Sequence, residues 1–308
     1  MYHIIINPAS KSGKGLKIWK EAVEPALRKE GVAYRPYFSS KEGDVAKIAA
    51  AITKSPSDQM LKMIILGGDG TMNEALQGIR CFSEVILGYI PTGSSNDLAR
   101  DLKISRDPLT ALDTILHSGT VQPMDLGTVI YPNGEKRRFS VSCGIGFDAA
   151  VCEEALHSRI KNTLNKLGLG KLTYLGIALR QLFTTRPSSC ELILEDGSPT
   201  IISRFLFVTC MIHRFEGGGF QFCPDADPRD GILNLCAVGG LPKLLILFAL
   251  PTAFWGKHYI FKKIRPYRAR QVHIKTTVPL WVHTDGEVKC RVKEFTVTCE
   301  PSALNLIL

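Results

Sequence analysis

Apolar positions in the first hundred residues fall into short runs of strand length, separated by stretches with helical spacing. Residues 3–6 read as a strand. A helix is expected after Gly15, with Leu16, Trp19, Val23 and Leu27 on one face, and Pro25 should kink it or confine helix to either side. Residues 34–38, 63–66 and 85–90 read as further strands, with helices over 43–52 and 72–79. Strand alternating with helix predicts a parallel, doubly wound α/β sheet.

The pattern changes after Pro123. Residues 128–131 and 137–142 flank Pro132-Asn133-Gly134-Glu135, a hairpin signal. Strand-like pieces follow at 191–195, 201–210, 231–238, 271–276, 281–284, 288–292 and 295–299. They predict an antiparallel β-sandwich with a helical insertion over 148–183. The expected domains are 1–123, an α/β nucleotide-binding domain, and 124–301, a β-sandwich, with 302–308 a candidate to rejoin the first.

Composition narrows this reading. The 308 residues are 45% hydrophobic, enough for a sizeable core, and mean hydropathy is +0.06. Nine cysteines include no C-x-x-C pair and no zinc spacing, so reduced thiols in a cytoplasmic protein are expected. The start has neither a basic region nor a long apolar run, so no signal peptide is expected. The apolar run 244–256, broken by Pro251, is too short to span a bilayer, which takes about 20 residues.

Net charge is +9, concentrated in two stretches without acids. One, between Ala155 and Cys190, carries Arg159, Lys161, Lys166, Lys171, Arg180 and Arg186. The other, residues 231–284 after Asp230, carries Lys243, Lys257, Lys262, Lys263, Arg265, Arg268, Arg270 and Lys275. Such stretches suit an anionic membrane surface or simply a solvated face. Nucleic acid is disfavoured, because aromatics are 8% and no recognition motif is present.

Three turns after strands could carry chemistry: residues 7–15, 67–71 and 91–97. Gly67-Gly68-Asp69-Gly70-Thr71 ends a strand and opens a helix, which leaves backbone N–H groups to face an anion. A carboxylate among such donors suits a phosphate bridged by a divalent metal, or a proton transfer. In a parallel sheet such turns gather along one edge, and the same residues would also make a tight connection that binds nothing. No G-x-x-x-x-G-K-[ST] string occurs. Asp69, Asp97, Asp125, Asp225, Asp227 and Asp230 recur at turns, where oxygen ligands suit Mg²⁺ and Asp-Gly or Asp-Pro pairs are also ordinary. In His283-Thr284-Asp285-Gly286-Glu287 a hairpin accounts for Asp285-Gly286 but not for Glu287, the better candidate for a catalytic base.

The motifs occur in one order: Asn-Pro-x-Ser at 7–10, Gly-Gly-Asp-Gly-Thr-x-Asn-Glu at 67–74, Pro-Thr-Gly-Ser-x-Asn-Asp-x-Ala-Arg at 91–100, Gly-Ile-Gly-Phe-Asp at 144–148, Gly-Gly-Gly-Phe at 217–220, Pro-Asp-Ala-x-x-x-Asp-Gly at 224–231 and Asp-Gly-Glu at 285–287. Together they resemble the diacylglycerol kinase catalytic family, in particular its soluble bacterial lipid kinases, over nearly the whole chain. The glycine motif alone would also admit NAD kinases and phosphofructokinases.

The resemblance implies an NAD kinase/diacylglycerol kinase-like fold binding ATP between an α/β domain and a β-sandwich. It assigns nucleotide contacts to Asn7, Pro8, Ala9, Ser10, Lys11, Ser39, Gly68, Asp69, Gly70, Thr71, Met72, Asn73, Glu74 and Ser94. It gives Asp227, Asp230 and the Ile232 carbonyl a structural Mg²⁺ whose waters reach toward Asp69, Asp97 and Asp125. Glu287 matches the family's proton acceptor, with Asp69 next in line. Either Ser10 or Ser12 fills the first-loop role, and Ser94 stands where threonine is commoner.

The expected reaction transfers the γ-phosphoryl group of ATP to the primary hydroxyl of a lipid, foremost diacylglycerol, giving phosphatidic acid. Alternatives are another lipid alcohol such as a sphingoid base, NAD, or a non-catalytic nucleotide-binding regulator. Peripheral docking on an anionic leaflet through residues 244–255 is set against a plain buried helix there. Oligomeric state stays open, a homodimer included.

Overall fold

A computed structural model describes residues 1–54, 59–157, 170–185 and 188–308. The chain divides into two compact units, Met1–Leu126 with Pro301–Leu308, and Gly127–Glu300. Of the first basic stretch, Arg159, Lys161, Lys166 and Arg186 lie outside the described residues, as does the Lys171 side chain.

In the first unit β1 (Tyr2–Ile6), β2 (Tyr34–Phe38), β3 (Leu61–Gly67) and β4 (Val85–Pro91) pair in parallel. β2 lies on one side of β1, with β3 and β4 on the other, so the winding reverses at β1. Ile4, Ile5, Ile6, Ile64, Ile65 and Leu66 are fully buried, as strands covered on both faces must be. Ile4, Ile6, Ile64 and Leu66 pack with Trp19, Val23, Leu27, Leu112 and Ile115. The two-residue period turns Ile5, Met63 and Ile65 the opposite way. β2 ends the order and carries Pro36, which an edge strand tolerates.

The helix containing Pro25 does not break. It runs Gly15–Ile18, widens to a π-turn over Trp19–Val23, and resumes over Glu24–Lys29. The Glu24 N–H reaches back to the Trp19 carbonyl, and Pro25, which has no N–H, falls in the first turn of the next segment. The Asp69–Gly78 helix starts three residues before the expected Met72, because extended Gly68 caps it. A helix over Pro108–Asp113 was not expected, although Asp107 caps it, accepting from the Thr110 N–H at 2.8 Å, and Pro108 opens it.

In the second unit β6 (Lys136–Phe139), β7 (Ser142–Gly146), β8 (Ser188–Ile193), β9 (Pro199–Met211), β10 (Leu233–Gly239), β11 (Ile264–Ala269) and β12 (Gln271–Thr284) pair antiparallel, with the last four residues of β5 (Val121–Ile130) against β6. β13 (Glu287–Ile307) pairs with β12, and its last residues belong to the first unit, where Asn305 and Leu306 run parallel to Ile86 and Leu87 of β4. The expected pieces 271–276 and 281–284 are one strand, as are 288–292 and 295–299. The register of β12 shifts between Lys275 and Leu280, where Pro279 cannot donate and Thr276 Oγ1 bonds the Val278 carbonyl at 2.9 Å. β11, a basic edge strand around Pro266, was read only as charge.

Val129, Phe139, Ile145, Leu192, Val208, Leu235, Ile274 and Phe295 form the main core of this unit. Helices Phe147–His157 and Gly170–Thr184 supply the insertion, joined by Glu154, which accepts from Arg180 and Gln181 at 2.6 Å each. Helix Lys243–Thr252 buries Ile246 and Ala249, while Leu244 and Phe248 are 66% and 70% exposed. It is thus neither wholly buried nor wholly a surface element. Among the described residues no helix is long and apolar enough to cross a membrane.

Candidate active site

The three turns of the first unit are wired together by short polar contacts. Asn7 Nδ2 donates to Thr71 Oγ1 at 3.0 Å, and Asn7 Oδ1 accepts the Ala9 N–H at 3.0 Å. Ser10 Oγ donates to the Asn7 carbonyl at 2.9 Å and lies 2.8 Å from Thr92 Oγ1. The Thr92 N–H reaches the Gly67 carbonyl at 2.7 Å. Gly68 and Gly93 meet backbone to backbone: a Cβ on Gly93 would lie 2.6 Å from the Gly68 Cα. Only glycine allows that approach.

Lys11 and Ser12 both take left-handed backbone angles, φ 52° and 57°. That conformation costs about 1–2 kcal/mol per residue. Ser10 is committed to holding the loop, whereas Ser12 is exposed at its tip. Ser39, just after β2, is tied to β1 through its N–H and the Ile6 carbonyl at 3.0 Å. Ser94 is exposed.

The Asp69–Gly78 helix has no side-chain cap, and its first internal bond runs from the Met72 N–H to the Gly68 carbonyl. The Gly70 and Thr71 N–H groups therefore precede the helical ladder and suit an anion, reinforced by the helix dipole. Asp69 Oδ2 accepts the Asp97 N–H at 3.1 Å, and Asp97 Oδ1 is 3.5 Å from Arg100. Asp125 is buried and accepts the Ser302 N–H at 2.8 Å, fixing the returning tail.

Three residues assigned to the nucleotide are otherwise engaged. The Met72 and Asn73 side chains are fully buried. Glu74 Oε1 accepts the Val45 N–H at 3.2 Å, at the start of helix Asp44–Ile52; burial raises its pKa against the opposing pull of these backbone bonds. A carboxylate there satisfies end N–H groups and complements the helix dipole. Glu74→Ala is expected to cost about 1 kcal/mol in urea unfolding, as cap losses do, with KM for ATP little changed. A raised KM at unchanged stability would return Glu74 to the nucleotide.

In the second unit, Asp285 has φ 50° and Gly286 φ 84°, the left-handed pair that closes a tight hairpin. The Asp285 carboxylate accepts from the N–H groups of Ser140, Val141 and Ser142 at 2.9, 2.8 and 3.0 Å, and from Ser140 Oγ at 3.2 Å. Glu287, first residue of β13, is half-buried.

Asp227, Asp230 and Ile232 offer only oxygen ligands, a set that fits Mg²⁺. Asp227 Oδ1 accepts the Arg229 N–H at 3.1 Å, and Asp230 Oδ1 the Ile232 N–H at 3.0 Å. Asp230 Oδ2 lies 2.5 Å from the guanidinium of Arg268, on β11. Guanidinium and metal are therefore alternatives at that oxygen. Arg268→Ala should let Mg²⁺ raise the thermal midpoint more than it does in the unchanged protein; equal shifts would show that Arg268 does not compete.

Reading the sequence alone did not find a buried polar cluster beside this hairpin. His283 Nε2 lies 2.7 Å from Asp148 Oδ2 and 3.2 Å from Glu216 Oε1, and Thr209 Oγ1 donates to Glu216 Oε2 at 3.0 Å. Burial, then the Asp148 charge, raises the Glu216 pKa. The Gly286 N–H donates to His283 Nδ1 at 3.1 Å, so Nε2 carries the imidazole proton.

The family model of the diacylglycerol kinase catalytic domain matches residues 1–129, and that of the YegS C-terminal NAD kinase beta sandwich-like domain matches 140–308. A diacylglycerol kinase of Mycobacterium tuberculosis (strain CDC 1551 / Oshkosh) is 28% identical over 98% of this chain and 93% of its own. One from Bacillus subtilis (strain 168) is 28% identical over 92% and 88%. The crystal structure of a diacylglycerol kinase from Bacillus anthracis str. Sterne covers 99% of this chain and 95% of its own, with TM-score 0.73 and 22% identity, a likeness of fold. Since the second family model alone spans more than half of the sequence, the chain belongs to the YegS-like lipid kinases built on a diacylglycerol kinase catalytic domain.

Proposed function

We propose that this lipid kinase transfers the γ-phosphoryl group of ATP to the primary hydroxyl of diacylglycerol, giving phosphatidic acid. The observation that carries the reading is the wiring of turns 7–15, 67–71 and 91–97 by Asn7–Thr71, Ser10–Thr92 and the Gly68–Gly93 approach. In a doubly wound sheet such turns hold a polyphosphate at the strand ends. Gly70 and Thr71 offer N–H groups to the phosphates, and the loop from Asn7 to Lys11, with exposed Ser12 and Ser94, surrounds them.

Phosphoryl transfer passes through a loose transition state, so positioning and charge neutralisation dominate. Asp227, Asp230 and the Ile232 carbonyl would hold a structural Mg²⁺, and bound Mg²⁺ would supply charge neutralisation. Glu287 accepts the proton of the attacking lipid hydroxyl. Incubation with ATP and diacylglycerol in mixed micelles should consume one ATP per lipid phosphate formed. Tight ATP binding without turnover would favour the regulator reading.

The protein is proposed to work in the cytoplasm, docked on an anionic leaflet. Leu244, Phe248, Phe254, Trp255 and Ile260 are exposed, and Lys257, Lys262 and Lys263 accompany them. Large exposed apolar groups beside cations suit an interfacial site, with about 1 kcal/mol per basic residue near the surface. Phe248→Ser with Trp255→Ser should lower co-sedimentation with anionic vesicles about tenfold or more, given about 1.5–3 kcal/mol per buried large side chain. Unchanged pelleting would remove this face from the account.

A further inference from the structure

We propose that Asp148, Cys152 and His283 form a Zn²⁺ site whose occupation inhibits the enzyme through the Glu287 hairpin. Asp148 and Cys152 stand four residues apart on helix Phe147–His157, so both point to one side. His283 meets them from β12, and the ligand atoms of the three lie within 4.8 Å of one another. Glu216 Oε1 lies 3.2 Å from His283 Nε2, outside the set whose ligand atoms all approach one another. One thiolate, one imidazole and one carboxylate, with a water in the fourth position, make a set that suits tetrahedral Zn²⁺ better than Mg²⁺.

Gly144 keeps the pocket open: a Cβ there would lie 2.0 Å from Asp148 Oδ2 and 2.4 Å from His283 Nε2. Without metal, the cluster is held by the Nε2 proton shared with Asp148. Metal takes Cys152 as the thiolate, so binding has to displace the thiol proton.

The proton balance links the site to catalysis. Binding releases the Cys152 thiol proton to solvent and moves the imidazole proton from Nε2 to Nδ1. Nδ1 then can no longer accept the Gly286 N–H, the 3.1 Å bond that braces the turn immediately before Glu287. Metal and the braced turn exclude one another. The inhibitory part rests on Glu287 being the base; the metal site does not.

The test uses the full chain after chelator treatment, titrated with Co²⁺ as a spectroscopic probe and Zn²⁺ as competitor. One equivalent of Co²⁺ should give a thiolate-to-cobalt charge-transfer band that Zn²⁺ abolishes. Cys152→Ser, nearly isosteric, should lose the band, keep basal activity and bind Zn²⁺ about 100-fold more weakly, since even outer partners of metal ligands cost about 10–100-fold. No band in the unchanged protein, or the same band in Cys152→Ser, overturns the site. Zn²⁺ inhibition that persists in Cys152→Ser overturns the link to Glu287. A band in a protein that transfers no phosphoryl group supports the site and refutes only the kinase reading.

Discussion

Glu287→Gln is expected to lower kcat by about 10²–10⁴, the usual contribution of a positioned base, while KM for ATP and the unfolding midpoint stay near those of the unchanged protein. The amide keeps the shape and hydrogen-bonding reach of the carboxylate but cannot accept the lipid hydroxyl proton. The backbone of Glu287 is fixed independently, by pairing with Thr284 across a hairpin whose corner Asp285 holds. An interaction made only in the transition state lowers kcat and kcat/KM together. A fall of less than about threefold, well short of base catalysis, would move the base elsewhere, with Asp69 the next candidate.

Asp285→Ala should cost about 3–5 kcal/mol of stability in chemical denaturation. The N–H groups of Ser140, Val141 and Ser142, all buried, lose their acceptor, and each unsatisfied buried donor costs about 1–3 kcal/mol. Alanine is also less suited than aspartate to φ 50°. Asp285→Asn keeps one oxygen acceptor and the tolerance for that angle, so it should lose roughly half as much. Because this carboxylate fixes the hairpin that presents Glu287, both variants should also lose activity. A loss below about 1 kcal/mol for alanine would mean the carboxylate is readily replaced by water.

The strands of the first unit were legible because period and punctuation agreed: Ile4–Ile6 before Asn-Pro, and 63–66 before Gly-Gly. Pro25 was legible as a perturbation but not as a π-turn, since sequence does not say which carbonyl the next free N–H will choose. β11 was hidden by its own edge character, because Pro266 and two arginines, Arg265 and Arg268, read as a charge run. At the candidate site, the glycine turns announced themselves through backbone needs that only glycine meets. Glu74 did not reveal that it bonds helix Asp44–Ile52, because its partner Val45 lies 29 positions away. Asp148 and His283 are 135 positions apart, and only tertiary pairing of β7 with β12 and packing of helix Phe147–His157 bring them together. Local spacing cannot encode a ligand set assembled that way.

The most direct measurement is one assay with γ-labelled ATP over a panel of acceptors: diacylglycerol, a sphingoid base and NAD. The account predicts label in phosphatidic acid, at a rate that collapses in Glu287→Gln. Label transferred to NAD in preference to any lipid, or released only as inorganic phosphate, would contradict it.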